Sequence, residues 1–252
     1  METVREILAR HGFSFKKQFG QNFITDTNLL RSIVDLAGTD KETSVLEIGC
    51  GAGTLTREIA AAAKSVLAFE IDEKLAPILR ETLRDCPNAI VVFRDFLKTD
   101  LKTLEQQLPD YTVIANLPYY ITSPLVMKFI DESDKAQKLV IMVQDDVAKR
   151  FCARENTPEY GAITAAIALK AEAEIVKSVP RRMFFPVPNV DSAVVKLTFR
   201  RGRLPVKSEE FYKKTVRCAF ANRRKTLENN LVNFFSLTRE EARGILDGAG
   251  VP

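Results

Sequence analysis

Five short apolar runs rich in β-branched residues recur along the first 143 residues: SVLEIG (44–49), SVLAFEI (65–71), AIVVF (89–93), YTVIA (111–115) and KLVIMV (138–143). Amphipathic segments such as TLTREIAAAA and DEKLAPILRETLRD lie between most of them. Strands that alternate with helices predict an α/β fold, a Rossmann-like parallel sheet covered on both faces. AEIVKSVP and DSAVVKLTF follow a helical YGAITAAIALKA and are expected to extend one edge, as an antiparallel hairpin. After RRGRLPV the strand pattern stops, and helical periodicity takes over in SEEFYKKTVRCAF, KTLENNLVNFF and TREEARGILDGAG. The expected organisation is an α/β domain over residues 1–203 and a small C-terminal all-helical domain over 204–252.

Several chemistries have little to work with. The only histidine is His11, and the four cysteines (Cys50, Cys86, Cys152, Cys218) form no C-x-x-C pair, so no metal site, disulfide framework or histidine-based triad is predicted. No stretch approaches the ~20 apolar residues of a membrane span, and METVREILARHG lacks the apolar core of a secretory signal, so a cytoplasmic protein without a membrane partner is expected. The net charge of +4 is unevenly spread: residues 150–230 hold seventeen Lys and Arg against eight Asp and Glu. A surplus of that kind suits a polyanion such as nucleic acid, although scattered lysines also serve only to solubilise a surface.

LEIGCGAGTLT (46–56) closes the first run with a glycine-rich turn that leads into a helix. Glycines beyond the carboxyl end of a strand let the backbone approach a ligand closely. Gly49, Gly51 and Gly53 do not complete a dinucleotide fingerprint, because Thr54 stands where the last glycine belongs, which makes NAD the weaker reading. Glu70 ends the second run and can accept from both ribose hydroxyls of an adenosine moiety. After the third run, Asp95 can accept from an adenine amine while Phe96 covers the ring. Singly, Glu70 and Asp95 also read as solvated strand ends; together with the glycine turn they place three loops at one sheet edge. E-x-G-x-G-x-G followed by an acid at the next strand end resembles the Rossmann-like S-adenosylmethionine-dependent methyltransferases.

The fourth run ends in ANLPYYITS (115–123). An exocyclic adenine amine is a poor nucleophile, its lone pair being delocalised into the ring. If Asn116 Oδ1 and the Leu117 carbonyl each accept one of its N–H groups, the lone pair is freed towards a methyl donor and the charge developing on nitrogen is stabilised. No general base is then needed, which suits a chain with one histidine. Pro118 would fix the turn and Tyr119 would offer a face for the base, worth roughly 1–3 kcal/mol. Tyr120 reads as a rim residue of the core.

NLPY in this place, with FGQNFI (19–24), FFPVPNVDSAVVKL (184–197) and FANRRKTLENNL (220–231), resembles the ribosomal RNA adenine N6,N6-dimethyltransferase family. The match is closest to its bacterial small-subunit branch, which dimethylates two adjacent adenosines near the 3′ end of 16S RNA. The resemblance runs from about Lys16 to Val232. It implies cofactor contacts at Asn22, Ile24, Gly49, Glu70, Asp95 and Asn116, and a target base sandwiched between Tyr119 and Phe184, as suits an enzyme that takes a base out of its stack. It also implies that residues 1–203 are the methyltransferase domain, that 204–252 bind RNA in the small ribosomal subunit, and that the protein works as a monomer. Arg223, Arg224 and Lys225, just before a helix, suit phosphate contacts, though a solvated cationic turn has the same composition. Arg181 and Arg182 lie close enough in sequence to Phe184 to hold the RNA flanking the base. Family members continue past GAGVP with another helical stretch, so the helical domain here is either naturally short or cut.

Two other functions fit the same residues: a methyltransferase of the related class that modifies one adenosine of 23S RNA and confers macrolide resistance, and a non-catalytic ribosome-assembly or transcription factor on this fold. The intact set of Gly49, Glu70, Asp95 and Asn116 argues against loss of chemistry.

Overall fold

A computed structural model of the chain describes residues 4–13, 23–24, 26–202, 206–222 and 224–251. The strands are β1 (Phe23–Ile24), β2 (Ser44–Ile48), β3 (Ser65–Glu70), β4 (Ala89–Phe93), β5 (Tyr111–Asn116), β6 (Ala136–Gln144), β7 (Ala171–Val179), β8 (Phe184–Phe185) and β9 (Ser192–Phe199). The helices are α1 (Val4–Arg10), α2 (Thr27–Leu36), α3 (Thr54–Ala62), α4 (Ala76–Thr82), α5 (Leu101–Glu105), α6 (Tyr119–Glu132), α7 (Asp145–Phe151), α8 (Ala162–Lys170), α9 (Glu209–Ala219), α10 (Leu227–Phe235) and α11 (Arg239–Gly248).

Seven strands form one sheet in the order β4-β3-β2-β5-β6-β9-β7. The five expected runs pair in parallel, and chain order reverses between β2 and β5. That switch point opens a crevice beyond the strand ends, where ligands bind in such sheets. The two further runs do form an antiparallel extension, with β9 inserted between β6 and β7.

Alternation along each strand sends successive side chains to opposite faces. Val45, Ile114 and Val140 face one core, shared with α1 to α4, while Leu46, Val113 and Leu139 face the other, shared with α6 to α8. At the foot of the sheet the buried Glu105 carboxylate accepts from the Tyr111 and Ser133 hydroxyls, both at 2.6 Å, and from Asp134 N at 3.0 Å. Burial, followed by the bond to this carboxylate, holds the Tyr111 phenol well above its ordinary pKa.

A two-residue antiparallel pairing joins β1 to β8, Ile24 opposite Phe184 and Phe23 opposite Phe185. It ties FGQNFI to FFPVP, a contact that neither stretch announces alone.

The C-terminal helices enclose a small core of Cys218, Leu231, Ala242 and Leu246. Burying a leucine contributes about 1.5–3 kcal/mol, so a core this small gains from docking. The Tyr212 hydroxyl donates to Ala165 O at 3.0 Å, Lys213 pairs with Asp131 at 2.5 Å, and the Tyr160 and Phe220 rings lie 6.2 Å apart. No helix among the described residues is long and apolar enough to cross a membrane.

Candidate active site

A cavity of about 260 Å³ opens beyond the carboxyl ends of β2 to β5. Each of four loops contributes to its wall: Gly49 and Gly51 after β2, Glu70 and Ile71 after β3, Asp95 and Phe96 after β4, and Asn116 with Leu117 after β5. Ile24 and Phe23 close it from the N-terminal side.

The glycine turn is required by its neighbours as well as its backbone. Gly49 has φ +75°, and a Cβ there would stand 2.7 Å from Leu117 Cδ2. Gly51 has φ +56°, and its Cβ would stand 2.8 Å from the Phe23 ring. Only glycine adopts such angles without cost, and here it also lets β5's exit loop and β1 press onto the turn. Gly53 serves differently. It does not line the cavity; it begins α3 with φ +79°, and a Cβ would meet Leu79 at 3.0 Å, so its smallness is used for helix packing.

Glu70 is oriented by three backbone amides: Gly51 N at 2.8 Å on one oxygen, and Ile71 N at 2.8 Å and Asp72 N at 2.9 Å on the other. Burial raises its pKa, and those three bonds oppose the rise. The oxygen bound by Ile71 N and Asp72 N is thereby filled, while the one bound by Gly51 N keeps a position open to a further donor such as a ribose hydroxyl. Asp95 caps the 3-10 turn Phe96–Lys98 by accepting from Leu97 N at 3.0 Å. Phe96 departs from its expected role. Its ring stacks on Phe129 at 5.7 Å and meets Phe69 edge-on, so it forms the apolar floor of the cavity rather than a cover over a ligand.

Asn116 is the last residue of β5, paired with Met142, and it lines the same cavity. Leu117 is buried, and the residue before a proline is biased to extended backbone, so the chain turns only at Pro118 before α6 begins. Tyr119 opens α6, is half-buried and stands outside the cavity wall; its hydroxyl bonds the Ser192 hydroxyl at 2.9 Å. Tyr120, which the sequence marks as a rim residue, is 64 % exposed and lines the cavity mouth.

Phe184 corrects the expected sandwich. It is 1 % exposed and belongs to the core on the α1–α4 side, because its pairing with Ile24 turns it inward; in this conformation it offers no free face to a base. Arg181 and Arg182 are exposed on the turn just before it, with Arg181 Nη1 donating to Asn189 O at 3.1 Å and its backbone N to Asp191 Oδ1 at 2.8 Å. Arg224 and Lys225 are exposed on the turn before α10, whose shape is held by the buried Asn230 amide donating to Ala219 O and Asn222 O. Asn22 and Arg223 lie outside the described residues.

Glu47 carries no role in the sequence-level assignment, yet it lines the cavity at 1 % exposure with neither carboxylate oxygen hydrogen-bonded. Its place inside the apolar run SVLEIG is the signal that could have marked it. Burial pushes its pKa up to about 8; the Thr56 hydroxyl, near but not in hydrogen-bond geometry, opposes the rise and the Glu70 carboxylate adds to it.

The chain matches the model of the ribosomal RNA adenine dimethylase family over residues 12–251. The ribosomal RNA small subunit methyltransferase A of Geobacillus thermodenitrificans is 47 % identical over 98 % of this chain and 87 % of its own. That of Streptococcus equi subsp. zooepidemicus is 50 % identical over 92 % and 82 %. Among solved structures, a dimethyladenosine transferase from Plasmodium falciparum superposes with TM-score 0.74 at 26 % identity, covering 91 % of this chain and 82 % of that one. The 23S rRNA methyltransferase ErmE superposes at 0.71 with 30 % identity, covering 91 % of each chain. With its family pattern spread over nearly the whole length and its glycine turn, acids and Asn116 gathered at one crevice, the chain belongs to the ribosomal RNA adenine dimethylase family.

Proposed function

We propose that this protein transfers methyl groups from S-adenosylmethionine to the N6 amines of two adjacent adenosines near the 3′ end of 16S RNA in the small ribosomal subunit. The observation that carries the proposal is that Asn116 shares one cavity with Gly49, Gly51, Glu70 and Asp95, while the Leu117 side chain rests against Gly49. An acceptor site at Asn116 would then adjoin a cofactor site at the glycine turn. The small-subunit relatives at 47–50 % identity favour this substrate over 23S RNA.

The residues present fit the cofactor. Glu70 is pre-oriented with one acceptor position open to a ribose hydroxyl, Asp95 Oδ2, which carries only a 3.8 Å ion pair with the exposed Lys98, suits an adenine amine, and the unpartnered Glu47 carboxylate suits the amino group of the methionyl end. When bound, the cofactor supplies an electrophilic methyl group on a sulfonium. The protein's part is position and electrostatics. Asn116 Oδ1 and the Leu117 carbonyl accept the two N–H groups of the target amine, which turns its lone pair towards the donor. The same acceptors stabilise the positive charge that grows on nitrogen, and the product loses its proton to water. The Tyr119 ring holds the extracted base, while Arg181, Arg182, Arg224 and Lys225 engage phosphates around it. The helical residues 204–252 serve as the RNA-binding domain.

Mass spectrometry of the 16S 3′ end of unmethylated 30S subunits and, in a parallel reaction, of unmethylated 23S RNA, each incubated with protein and cofactor, tests the proposal. Dimethyladenosine at two neighbouring positions is expected; modification of 23S RNA alone, or none, refutes it.

A further inference from the structure

Tyr119 is attached at both ends. Its Cα is set by Pro118 and the first turn of α6, and its hydroxyl lies 2.9 Å from Ser192 Oγ. Ser192 is 1 % exposed and opens β9, where its backbone pairs with Gln144 of β6 on one side and Val179 of β7 on the other. The hydroxyl is thus presented from the interior of the sheet. A tyrosine ring has two soft side-chain torsions, and pinning both its base and its tip leaves neither free. The preceding residue works on the next segment: Asp191 Oδ1 accepts from Arg181 N at 2.8 Å, and Asp191 O accepts from Asp145 N at 3.2 Å. One dipeptide therefore ties the Tyr119 ring, the turn before Phe184 and the start of α7 to the same strand end.

We infer that Ser192 is a positioning residue for methyl transfer, holding the Tyr119 ring at the angle at which it receives the target adenine. The inference rests on the reading of Tyr119 as the base-facing ring. Ser192 itself touches neither base nor cofactor. It acts by sparing the ring a search over rotamers when the base arrives, so its loss shows in turnover rather than in cofactor binding. A 73-residue separation hides the pair from local sequence patterns.

The test compares the full chain as wild type, Ser192→Ala, Tyr119→Phe, the double variant and Tyr119→Ala, in methyl transfer to unmethylated 30S subunits. Ser192→Ala and Tyr119→Phe are each expected to lower kcat by about tenfold, the scale of a small misplacement near reacting atoms. The double variant should lose no more than either single one, and Kd for S-adenosylmethionine should stay constant throughout. Losses that multiply in the double variant, a wild-type rate in Ser192→Ala, or cofactor affinity that falls in step with kcat each overturn the inference. Tyr119→Ala separates its failure from that of the base-facing role. If Tyr119→Ala is severely impaired while Ser192→Ala and Tyr119→Phe are not, positioning alone is refuted; a wild-type rate in Tyr119→Ala removes the role and the inference with it. Should Ser192→Ala fail to fold, Tyr119→Phe breaks the same bond from the half-exposed side and its rate decides.

Discussion

Two buried glutamates stand at opposite ends of the sheet and are treated in opposite ways. At the foot, Glu105 receives hydrogen bonds from two side-chain hydroxyls and the backbone N–H of Asp134. At the head, Glu47 is as deeply buried and receives none. A buried carboxylate without partners is costly, and proteins keep such groups where something else offsets the cost. The foot is finished structure, and the head keeps an unfilled requirement that a cationic ligand group can meet. Glu70 lies between these extremes, held by three amides with room for one further donor.

If the head is built for chemistry and the foot for stability, substitutions at the two ends should fail in different assays. The largest effect is expected from Asn116→Ala, which removes one of two acceptors for the target amine. Methyl transfer to 30S subunits should fall by about 10²–10³-fold, the usual toll of losing one transition-state-stabilising hydrogen bond. Thermal stability should hardly change, and a rate within threefold of wild type would remove Asn116 from the mechanism. Glu105→Ala should show the converse. Stranding the Tyr111 and Ser133 hydroxyls and the Asp134 amide should cost about 2–4 kcal/mol in denaturant unfolding, while the rate per folded molecule below the melting range stays at wild type.

Glu47 sharpens the contrast through pH. Its ordinary pKa of 4.5 is pushed up to about 8 in the folded protein. Between those values the unfolded chain has released the proton and the folded chain still holds it. Stability therefore falls as pH rises from about 4.5 to about 8, and is level above. Glu47→Gln cannot titrate, so wild type should lose ground to it across that window. The loss is bounded by about 1.4 kcal/mol for each pH unit of the window, and the unpaired amide of the variant offsets part of the difference. A net gain of about 1–2 kcal/mol for Glu47→Gln at pH 8.5 is expected in chemical denaturation, together with weaker S-adenosylmethionine binding by calorimetry. If the two proteins keep parallel stabilities from pH 5 to 8.5, the carboxyl is not the unsatisfied acid the geometry implies.

The sequence makes the cofactor edge far more legible than the acceptor edge, for a physical reason. Gly49, Gly51, Glu70 and Asp95 each sit at the end of a locally coded strand, and parallel pairing brings strand ends together without further information. Asn116 shares that advantage. Sequence places Phe96 correctly in the cavity wall but misjudges its orientation, since its stacking partner Phe129 is 33 positions away on α6. The sandwich of Tyr119 with Phe184 depends on how β8 pairs. A two-residue strand carries no periodicity, so the inward turn of Phe184 against Ile24 is invisible in the sequence. The Tyr119–Ser192 bond is hidden in the same way, and Glu47 escapes notice because a glutamate within an apolar run looks like part of a motif instead of a buried charge.

The helical unit extends the comparison to a third region, where the expected effect is smallest. Its basic turn presents exposed Arg224 and Lys225 on a frame fixed from within: Asn230 donates to Ala219 O at 3.0 Å and Asn222 O at 3.3 Å, and Asn222 Oδ1 accepts from Arg224 N at 3.2 Å. Thr226 then caps α10 by accepting from Asn229 N. Charges on a rigid, solvated turn act on phosphate by releasing counterions, without reference to the reacting base. Arg224→Ala and Lys225→Ala should each weaken RNA binding only several-fold and lower the slope of log K against log salt by about 1. Both should leave kcat at saturating substrate intact, where Asn116→Ala does not. Filter binding of a 16S 3′-end fragment over a salt series, alongside saturation kinetics, measures both quantities. A fall in kcat with an unchanged salt slope would move this turn from RNA anchoring to the chemistry of the head, and the division of labour between the two ends of the molecule would have to be redrawn.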